Sequence, residues 1–573
     1  MTNHDISQIL DEIGDILDIL GENPFKVRAY HNAARNVESL SQDIKTLVAE
    51  NKLHDLKGIG DALTQKITEL VTTGELRYYN ELKSSIPAGL PELLKIPNLG
   101  PKKVKVLYHD LNITNIGELE YACNENRLVE LPGFGEKSQQ KILLGVKYAK
   151  QNQGRYLLSE SLVKAENIVS VLKDIPEVIR ISIAGSLRRR KETVGDIDIL
   201  VSSENSAPVM DAFINMSNVK DIIAHGTTKS SVVLISGQNA DLRVVTNLQF
   251  PYALHHFTGS KEHNVAMRGR AQKMGYKMNE YGLFKETGKK ESLIKCKNET
   301  DIFQKLGLAF IEPELRENRG EIEAAEQNAL PELIKESDLV GVIHCHSVWS
   351  DGSASIPDLV EAARRNGYKY IGISDHSKTA FYAGGLKEDD IIAQHKEIDL
   401  ISAKYNDIKI LKGIECDILQ DGTLDYDDNV LAKFDFVIGS IHSHFNLPEE
   451  EQTNRIIKAM QNKHMSILGH PSCRLLLSRE ACHINMSRVL EASAKYNVAI
   501  EINANPHRLD LDWRFCRQAK DLGIKFIIGV DAHHLEMLAD IQYGIGTARK
   551  GWLTKADVLN TLKPNQFLKA MRR

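Results

Sequence analysis

The chain has 573 residues, 42% of them hydrophobic, and a formal net charge of −5 at pH 7. This length predicts several domains with ordinary apolar cores. No stretch approaches eighteen consecutive apolar residues, and the start of the chain lacks a secretion pattern, so no membrane partner is expected. Seven scattered cysteines without a C-x-x-C pair indicate neither a disulfide framework nor a zinc knuckle. We therefore expect a soluble, cytoplasmic protein with reduced thiols.

Three short runs punctuate the first 150 residues, which otherwise carry a helical pattern. Each has the form apolar-x-Gly-apolar-Gly, with Asn98 replacing the first glycine once: residues 56–60, 96–100 and 131–135. Glycine supplies left-handed backbone at a tight turn, and amides at the next helix start can face a phosphate. The runs resemble the helix-hairpin-helix motif, which binds the DNA backbone. The negative net charge does not oppose this prediction, because amides carry no charge.

An acidic pattern follows a Gly-Ser turn in the next part of the chain. A strand pattern over residues 178–184 ends at residues 185–186, Gly-Ser, which would open a helix whose amides can take a phosphate. Asp196 and Asp198 share one face of the next strand, and Asp241 begins an alternating strand that can lie beside it. Carboxylates so placed can hold two divalent ions, which in-line phosphoryl-type transfer needs. The pattern predicts nucleotidyl transfer.

On these residues the chain resembles the family X DNA polymerases, the group of DNA polymerase beta. The match extends to Phe-Thr-Gly-Ser at 257–260 and Asn-Glu-Tyr at 279–281. The resemblance implies that Asp196, Asp198 and Asp241 are catalytic and bind Mg²⁺ or Mn²⁺, with deoxynucleoside triphosphates as substrates. It also implies a set of residues that bind the nucleotide and template: Gly185, Ser186, Arg189, Arg155, Gly195, His256, Phe257, Gly259, Asn264 and Arg268.

Two positions depart from the family pattern. His256 stands where the family often has Tyr, beside the sugar, so discrimination against ribonucleotides is open. Lys66 falls on the Schiff-base lysine of the beta-type lyase domain, but Ala62 replaces a phosphate-binding lysine. Contact of Lys66 with backbone phosphate or solvent is therefore favoured over a lyase role.

The last part of the chain is rich in histidine, with twelve of the twenty after residue 333. Seven apolar strand patterns alternate with helical ones, which is typical of a parallel barrel, and six of them end in potential metal ligands. Mixed imidazoles and carboxylates favour zinc, manganese or iron over calcium or magnesium. The strand patterns are residues 340–343, 370–373, 408–411, 434–438, 466–468, 498–500 and 525–528.

This part resembles the PHP family, whose distorted seven-stranded (β/α) barrel holds three metals. The resemblance implies hydrolysis of a phosphoester, as a 3′-5′ exonuclease or an abasic-site endonuclease. Bacterial family X polymerases combine the two halves in this order, and the resemblance covers nearly the whole chain. The implied metal ligands are His344, His346, Asp351, His376, Glu415, His442, His470, Asp531 and His533.

The expected fold is multidomain, α+β and α/β. It comprises a helical helix-hairpin-helix region, a nucleotidyltransferase palm with a thumb, and the PHP barrel, with a solvated connector before the barrel. The expected domains are 1–85 (lyase-like, DNA-binding), 86–150 (fingers-like), 151–250 (palm), 251–315 (thumb), 316–336 (connector) and 337–573 (PHP).

The expected function is DNA-directed DNA polymerisation in gap-filling base excision repair, by a monomer that binds gapped or primer-template DNA. One alternative is that the polymerase half only binds DNA and the barrel is the sole active nuclease or phosphatase. Another is a non-enzymatic scaffold for DNA ends. The retained Asp196, Asp198 and Asp241 oppose the first alternative, and two complete metal sites oppose the second.

Overall fold

The computed structural model describes residues 3–38, 40, 44–56, 58–96, 99–129, 131–150, 154–287 and 290–572. The chain divides into two compact units, Met1–Lys150 and Gln151–Arg573. Among the described residues, no helix is long and apolar enough to cross a membrane.

The first unit is helical. Helix α1 places Ile6, Leu10, Ile13 and Leu17 at intervals of three or four residues, and all four are buried, so one stripe of the helix packs on its neighbours. The helices are α1 (Asn3–Ile19), α2 (Pro24–Glu38), α3 (Ile44–Ala49), α4 (Asp61–Thr73), α5 (Arg77–Ser84), α6 (Leu90–Leu93), α7 (Pro101–Leu111), α8 (Ile116–Asn124) and α9 (Glu136–Lys150).

The second unit begins with a palm built on a five-stranded sheet of order β2-β4-β7-β6-β5, in which β4 and β7 are parallel. The remaining pairs in this sheet are antiparallel. The elements are β1 (Tyr156–Leu157), α10 (Leu158–Leu172), β2 (Arg180–Ile183), α11 (Gly185–Arg188), β3 (Thr193–Val194), β4 (Ile197–Ser202), α12 (Ala207–Ile214), β5 (Val219–His225), β6 (Lys229–Leu234) and β7 (Asn239–Val245).

The palm core lies on one face of this sheet. In β7, Ala240, Leu242 and Val244 are buried while the residues between them are less so, as a strand with one covered face requires. Two residues from the far end of the chain, Leu509 and Tyr543, belong to the same buried cluster. The palm and the barrel therefore share a core.

The thumb follows as helices with a small antiparallel sheet of order β10-β9-β8. Its core includes Tyr252, Met267, Ile302 and Phe303. The elements are α13 (Phe250–Thr258), α14 (Lys261–Lys273), β8 (Tyr276–Asn279), β9 (Gly282–Thr287), β10 (Lys290–Leu293), α15 (Glu299–Lys305) and, in the connector, α16 (Glu321–Glu326).

The expectation of a solvated connector was wrong. Ile322 and Ala325 pack in the thumb core, and Arg316 and Glu321 are fully buried. Oε1 of Glu321 lies 2.7 Å from Nδ1 of His263. The acidic residues of this segment look irregular along the chain because their partners lie elsewhere in the fold.

The C-terminal part is a closed barrel of seven parallel strands in sequential order, as predicted. Parallel strands covered on both faces are apolar throughout. The barrel elements are β11 (Gly341–Cys345), α17 (Ile356–Arg365), β12 (Tyr370–Ile373), α18 (Glu388–Ser402), β13 (Lys409–Asp417), α19 (Asp428–Leu431), β14 (Phe436–Ser440), α20 (Glu449–Met460), β15 (Ile467–Leu468), α21 (Met486–Tyr496), β16 (Ala499–Asn503), α22 (Trp513–Asp521), β17 (Phe526–Ala532), α23 (Ile541–Lys550) and α24 (Pro564–Met571).

Candidate active sites

The three glycine-rich turns of the first unit share one hydrogen bond. In each run the amide of the fourth residue donates to the carbonyl of the first: Ile59 to Leu56, Leu99 to Ile96 and Phe134 to Leu131. The recurrence of this bond in all three runs supports a repeated motif.

The glycines of these runs have two distinct uses. Gly58 and Gly133 have φ of +87° and +83°, a left-handed conformation that a side chain strains. The last glycine of each run precedes a helix, and a Cβ there would meet nothing within 4 Å among the described residues: Gly60, Gly100 and Gly135. A phosphate can therefore approach the helix-start amides. Lys57, Pro97 and Asn98 lie outside the described residues.

Lys66 lies on α4, with its Nζ 4.6 Å from the centroid of the Tyr78 ring. Tyr78 in turn stacks on Tyr30 at 6.3 Å. An ammonium on an aromatic face is stabilised by the ring, so this arrangement gives no support to a lyase role for Lys66, which the sequence had already made the less favoured alternative.

The structure brings the three palm carboxylates together. Strands β4 and β7 are parallel, and their register places Asp198 directly beside Asp241. Asp196 is the residue just before β4, and its carboxylate is close enough to that of Asp198 to raise the pKa of Asp198. This arrangement suits a pair of divalent ions.

The electrostatics of this cluster also favour cations. Burial and the neighbouring carboxylates of Asp241 and Asp196 raise the pKa of Asp198 to about 6. Nζ of Lys229 lies 2.6 Å from Oδ2 of Asp241 and offsets part of the repulsion. The sequence analysis missed Lys229, which opens β6, because nothing local ties it to a carboxylate on another strand.

Gly185 lies against the carboxylate cluster at the start of α11. Its φ is +63°, and a Cβ on it would lie 2.1 Å from Oδ2 of Asp198. Only glycine fits here, and it brings the Gly185–Ser186 turn against the carboxylate of Asp198, a predicted metal ligand. A phosphate on this turn would therefore lie close to the carboxylates.

Two predicted triphosphate contacts have protein partners in this structure. Arg189 is buried and donates to Glu317 at 3.0 Å and to the Thr258 carbonyl at 2.8 Å. Arg155 donates to the hydroxyl and carbonyl of Thr193. The structure gives Arg189 a structural role. Its contact with a triphosphate stays a prediction.

The predicted sugar and base contacts lie where α13 meets α14. The rings of His256 and Phe257 form a T-shaped pair with centroids 5.0 Å apart, and Arg243 lies over Phe257 at 4.3 Å. Nδ2 of Asn264 donates to the carbonyls of His256 and Gly259 at 2.7 and 3.2 Å. Burial lowers the pKa of His256. These residues form one connected group.

Two further predicted residues, Arg268 and Gly195, are each close along the chain to a residue of the predicted site. Arg268 is exposed and lies one helical turn after Asn264, on the same side of α14. The carbonyl of Gly195 accepts a hydrogen bond from Gln238 at 3.2 Å, which fixes the backbone just before Asp196.

The predicted barrel ligands converge at the carboxyl ends of the strands. None of the nine side chains is more than 4% exposed. Within three groups, ligand atoms all lie within 4.8 Å of one another: His346, Asp351, His376 and His533; His344, His346, Glu415 and Asp531; and His376, Glu415 and His442.

Glu415 connects the second and third groups and the ninth ligand. Its Oε1 lies 2.9 Å from Nε2 of His470 and 3.2 Å from Nε2 of His442. Its Oε2 lies 3.1 Å from Nδ1 of His376. Strand β13 is longer than predicted, so Glu415 lies inside it and not after its end.

The carboxylates and imidazoles of the cluster shift one another's pKa values, in opposite directions for different histidines. Burial alone would raise the pKa of Glu415, but charge on His442 and His344 holds it well below its usual value. Burial, with charge on His533 and His376, lowers the pKa of His346 to about 3. Metal binds ionised carboxylates and neutral imidazoles, so Glu415 and His346 already have the required forms. Burial alone would lower the pKa of His442, but Glu415 and Asp417 raise it to about 9, so a metal would displace a proton from that ring.

Further carboxylates, which the sequence analysis missed, position the ligands. Oε1 of Glu501 lies 2.5 Å from Nδ1 of His344, and its Oε2 accepts from the amide of His470 at 2.7 Å. Oδ1 of Asp417 lies 2.6 Å from Nδ1 of His442. Such partners fix ring orientation at metal sites. The sequence signal for Glu501 was its position as a lone acidic residue within the apolar strand β16.

The site also concentrates strained backbone. His344, His470 and Asp531 have φ of +64°, +23° and +51°, although none of them is glycine. Residues in this region cluster at functional sites, where surrounding structure holds them.

The buried polar atoms test whether metals fit here. Nε2 of His344, both ring nitrogens of His346 and Nε2 of His376 are buried without a hydrogen-bond partner among the described residues. Unsatisfied buried polar atoms are costly. Bound metal ions would satisfy them, so the residues present fit a metal cluster.

Family models match successive parts of the chain. They are described as helix-hairpin-helix domain (residues 1–76), SAM-like helix-hairpin-helix tandem (90–147), DNA polymerase beta palm (159–235), DNA polymerase beta thumb (253–317) and PHP domain (343–505).

Individual relatives match whole or part of the chain. The DNA polymerase/3′-5′ exonuclease PolX of Bacillus subtilis (strain 168) is 40% identical over 562 residues, which cover 98% of this chain and 97% of that protein. A probable phosphatase of Thermoanaerobacter sp. (strain X514) is 27% identical over 40% of this chain and 94% of its own length. DNA polymerase lambda of Rattus norvegicus is 23% identical over 50% of this chain and 52% of its own length.

The palm carboxylates, the thumb and the metal-binding barrel together define a family X DNA polymerase with a C-terminal PHP domain. The resemblance inferred from motifs is thus confirmed. With 40% identity over nearly its full length to one member, the chain belongs to the PolX family.

Proposed function

We propose that this protein fills short gaps in DNA during base excision repair and trims 3′ ends with its barrel, acting as a monomer in the cytoplasm. The main observation that supports the polymerase part of this proposal is the strand register that places Asp198 beside Asp241. The names of the PolX and DNA polymerase lambda relatives support it. Glycine-rich turns with open helix starts supply contact to gapped or primer-template DNA.

In the palm, Asp196, Asp198 and Asp241 would hold Mg²⁺ or Mn²⁺, which stabilises charge on the attacking and leaving oxygens. Asp241 would also lie near the primer 3′-hydroxyl. The remaining roles divide between the triphosphate and the sugar, base and template. The first set is Gly185, Ser186, Gly195, Arg155 and Arg189, and the second is His256, Phe257, Gly259, Asn264 and Arg268.

In the barrel, the nine ligands would hold up to three manganese, zinc or iron ions, which supply hydroxide and hold the phosphodiester. Glu501 and Asp417 would keep the rings of His344 and His442 oriented for this task. The proposed domain limits are 1–85, 86–150, 151–250, 251–315, 316–336 and 337–573.

A phosphatase activity of the barrel is a second candidate. The match to a probable phosphatase over 94% of that protein's length favours it. Release of phosphate from p-nitrophenyl phosphate, compared with shortening of an oligonucleotide, distinguishes the two substrate classes.

The test uses a 5′-labelled primer in a one-nucleotide gap, with manganese, with and without deoxynucleotides. Asp196→Ala with Asp198→Ala should lower extension about a thousandfold, which is ~4 kcal/mol, and leave degradation intact. His344→Ala with His346→Ala should abolish degradation, leave extension intact and lower the amount of bound metal. Exposed residues give matched controls, Asp221→Ala in the palm and His483→Ala in the barrel. Extension that survives the palm change, or degradation that survives the barrel change, contradicts the respective assignment.

A further inference from the structure

Three large apolar side chains are exposed on loops that also carry metal ligands. Phe381 is 74% exposed, Val348 57% and Leu535 37%. Val348 follows His346 by two residues, Phe381 follows His376 by five, and Leu535 follows His533 by two. We call these three residues the apolar rim.

The loops of the apolar rim touch one another beside the ligands. A Cβ on Gly384, which ends the turn of Phe381, would lie 3.7 Å from the carbonyl oxygen of Ser350, the residue before Asp351. The amide of Ser353 donates to the carbonyl of His533 at 2.8 Å. The loops that carry the apolar rim therefore meet beside Asp351 and His533, and we place the mouth of the metal site there.

The turn that carries Phe381 is anchored to neighbouring parts of the barrel. Ser377 and Leu386 pair across the base of its loop, and Thr379 is anchored by its amide to Asp425 at 2.7 Å. The ring of Tyr382 meets that of Phe381 edge-on, with centroids 5.8 Å apart. An exposed aromatic ring on a fixed turn is a preorganised surface.

We propose that Phe381 is the stacking platform for the unpaired 3′-terminal base of the DNA strand that the barrel degrades. This inference rests on the proposed 3′-5′ exonuclease. A terminal nucleotide whose phosphodiester lies among the barrel ligands has its base at the mouth, where it would otherwise be free. Aromatic side chains stack on any base without reading sequence, as an exonuclease of general specificity requires. Val348 and Leu535 flank the base.

The first test measures hydrolysis with manganese on two substrates. Phe381→Ala should raise KM for a single-stranded oligonucleotide about tenfold, with kcat for bis(p-nitrophenyl) phosphate and primer extension unchanged. Phe381→Tyr should restore the oligonucleotide KM. Leu400→Ala, a 62% exposed residue of α18, is the matched control. An oligonucleotide whose 3′-terminal nucleotide lacks its base should show no difference between wild type and Phe381→Ala.

The second test observes stacking directly. Fluorescence of a 3′-terminal 2-aminopurine behind a cleavage-resistant phosphorothioate should be quenched by wild type and Phe381→Tyr, but less by Phe381→Ala. An unchanged KM in Phe381→Ala, or equal losses on both hydrolysis substrates, overturns the stacking platform. A wild-type protein that does not shorten the oligonucleotide overturns the proposed exonuclease itself, which is a separate outcome.

Discussion

Lys550, the last residue of α23, donates a 2.6 Å hydrogen bond to Glu317 in the connector. Arg189 of the palm donates to the same carboxylate at 3.0 Å. Burial alone would raise the pKa of Glu317, but Lys550 and Arg189 hold it below its usual value. One ionised carboxylate thus joins the palm, the connector and the barrel.

Replacing Glu317 should destabilise the second unit. Glu317→Gln leaves two buried cations without their carboxylate, and breaking a buried pair in this way costs about 3 kcal/mol. Urea unfolding should show this loss, whereas Glu312→Gln, which removes a 44% exposed partner of Arg549, should change stability by less than about 0.5 kcal/mol. Equal stabilities of the two variants would show that Glu317 is dispensable.

A second buried carboxylate should make stability depend on pH. Burial alone would raise the pKa of Glu299, but Arg316 and Arg188 lower it from 4.5 to about 2. Its stabilisation is complete above pH 4.5 and is lost as pH falls towards 2.

The stability difference between wild type and Glu299→Gln should therefore shrink by about 3 kcal/mol between pH 4.5 and 2. Urea unfolding across that range measures it. Glu326→Gln, which removes an exposed partner of Arg270, should show no comparable trend. A constant difference for Glu299→Gln contradicts the ionised assignment.

Gly185→Ala should damage polymerisation specifically. The new methyl group would collide with Asp198 and adopt a strained φ, and a displacement of about 1 Å at a catalytic group costs about a hundredfold in rate. Single-turnover extension measures the loss. Gly269→Ala, in α14 where a Cβ meets nothing within 4 Å among the described residues, should extend normally. Normal extension by Gly185→Ala would contradict this prediction, because it would show that polymerisation does not depend on the close approach of residue 185 to Asp198.

Glu501→Gln should weaken metal binding in the barrel. The amide cannot supply the negative charge that orients His344, and loss of such a partner costs about ten- to a hundredfold in metal affinity. Manganese titration followed by 3′-end degradation measures the change, while extension should be unaffected. Glu491→Gln, an exposed change on α21, is the control. Unchanged affinity in Glu501→Gln would remove Glu501 from the positioning role.

Gly133→Val should lower DNA affinity about tenfold and equally for unrelated sequences, because the proposed contact of the turn is with the DNA backbone and not with the bases. Gly74→Val introduces the same backbone strain at φ of +78°, also in open space, but outside the three motifs. Fluorescence anisotropy with two duplex sequences measures the loss, with circular dichroism as the folding check. A loss that differs between sequences, or one that Gly74→Val reproduces, contradicts the motif assignment.

Local patterns were sufficient for the features that depend on strand periodicity. The spacing of Asp196 and Asp198 predicts that their carboxylates lie close together, and the alternation from Asp241 predicts the strand that the structure pairs with Asp198. Likewise, ligands such as His344 and His376 stand out because similar groups recur at successive strand ends.

Partners chosen by tertiary packing could not be predicted. Glu321 pairs with His263, 58 residues away, and Glu501 reaches His344, 157 residues away. Nothing in the local sequence around either carboxylate indicates a partner so far away along the chain. A lone acidic residue in an apolar segment signals only that some partner exists.

Leu509 and Tyr543 of the barrel lie in the palm core, so truncation between the two halves would damage both. A fragment that stops before residue 337 would lack both side chains. Their absence would leave a cavity in the palm core and lower the stability of the polymerase half. The barrel expressed alone would expose the same two residues to water. The polymerase half and the barrel are therefore not independent folding units. The two activities have to be separated with point variants of the intact chain.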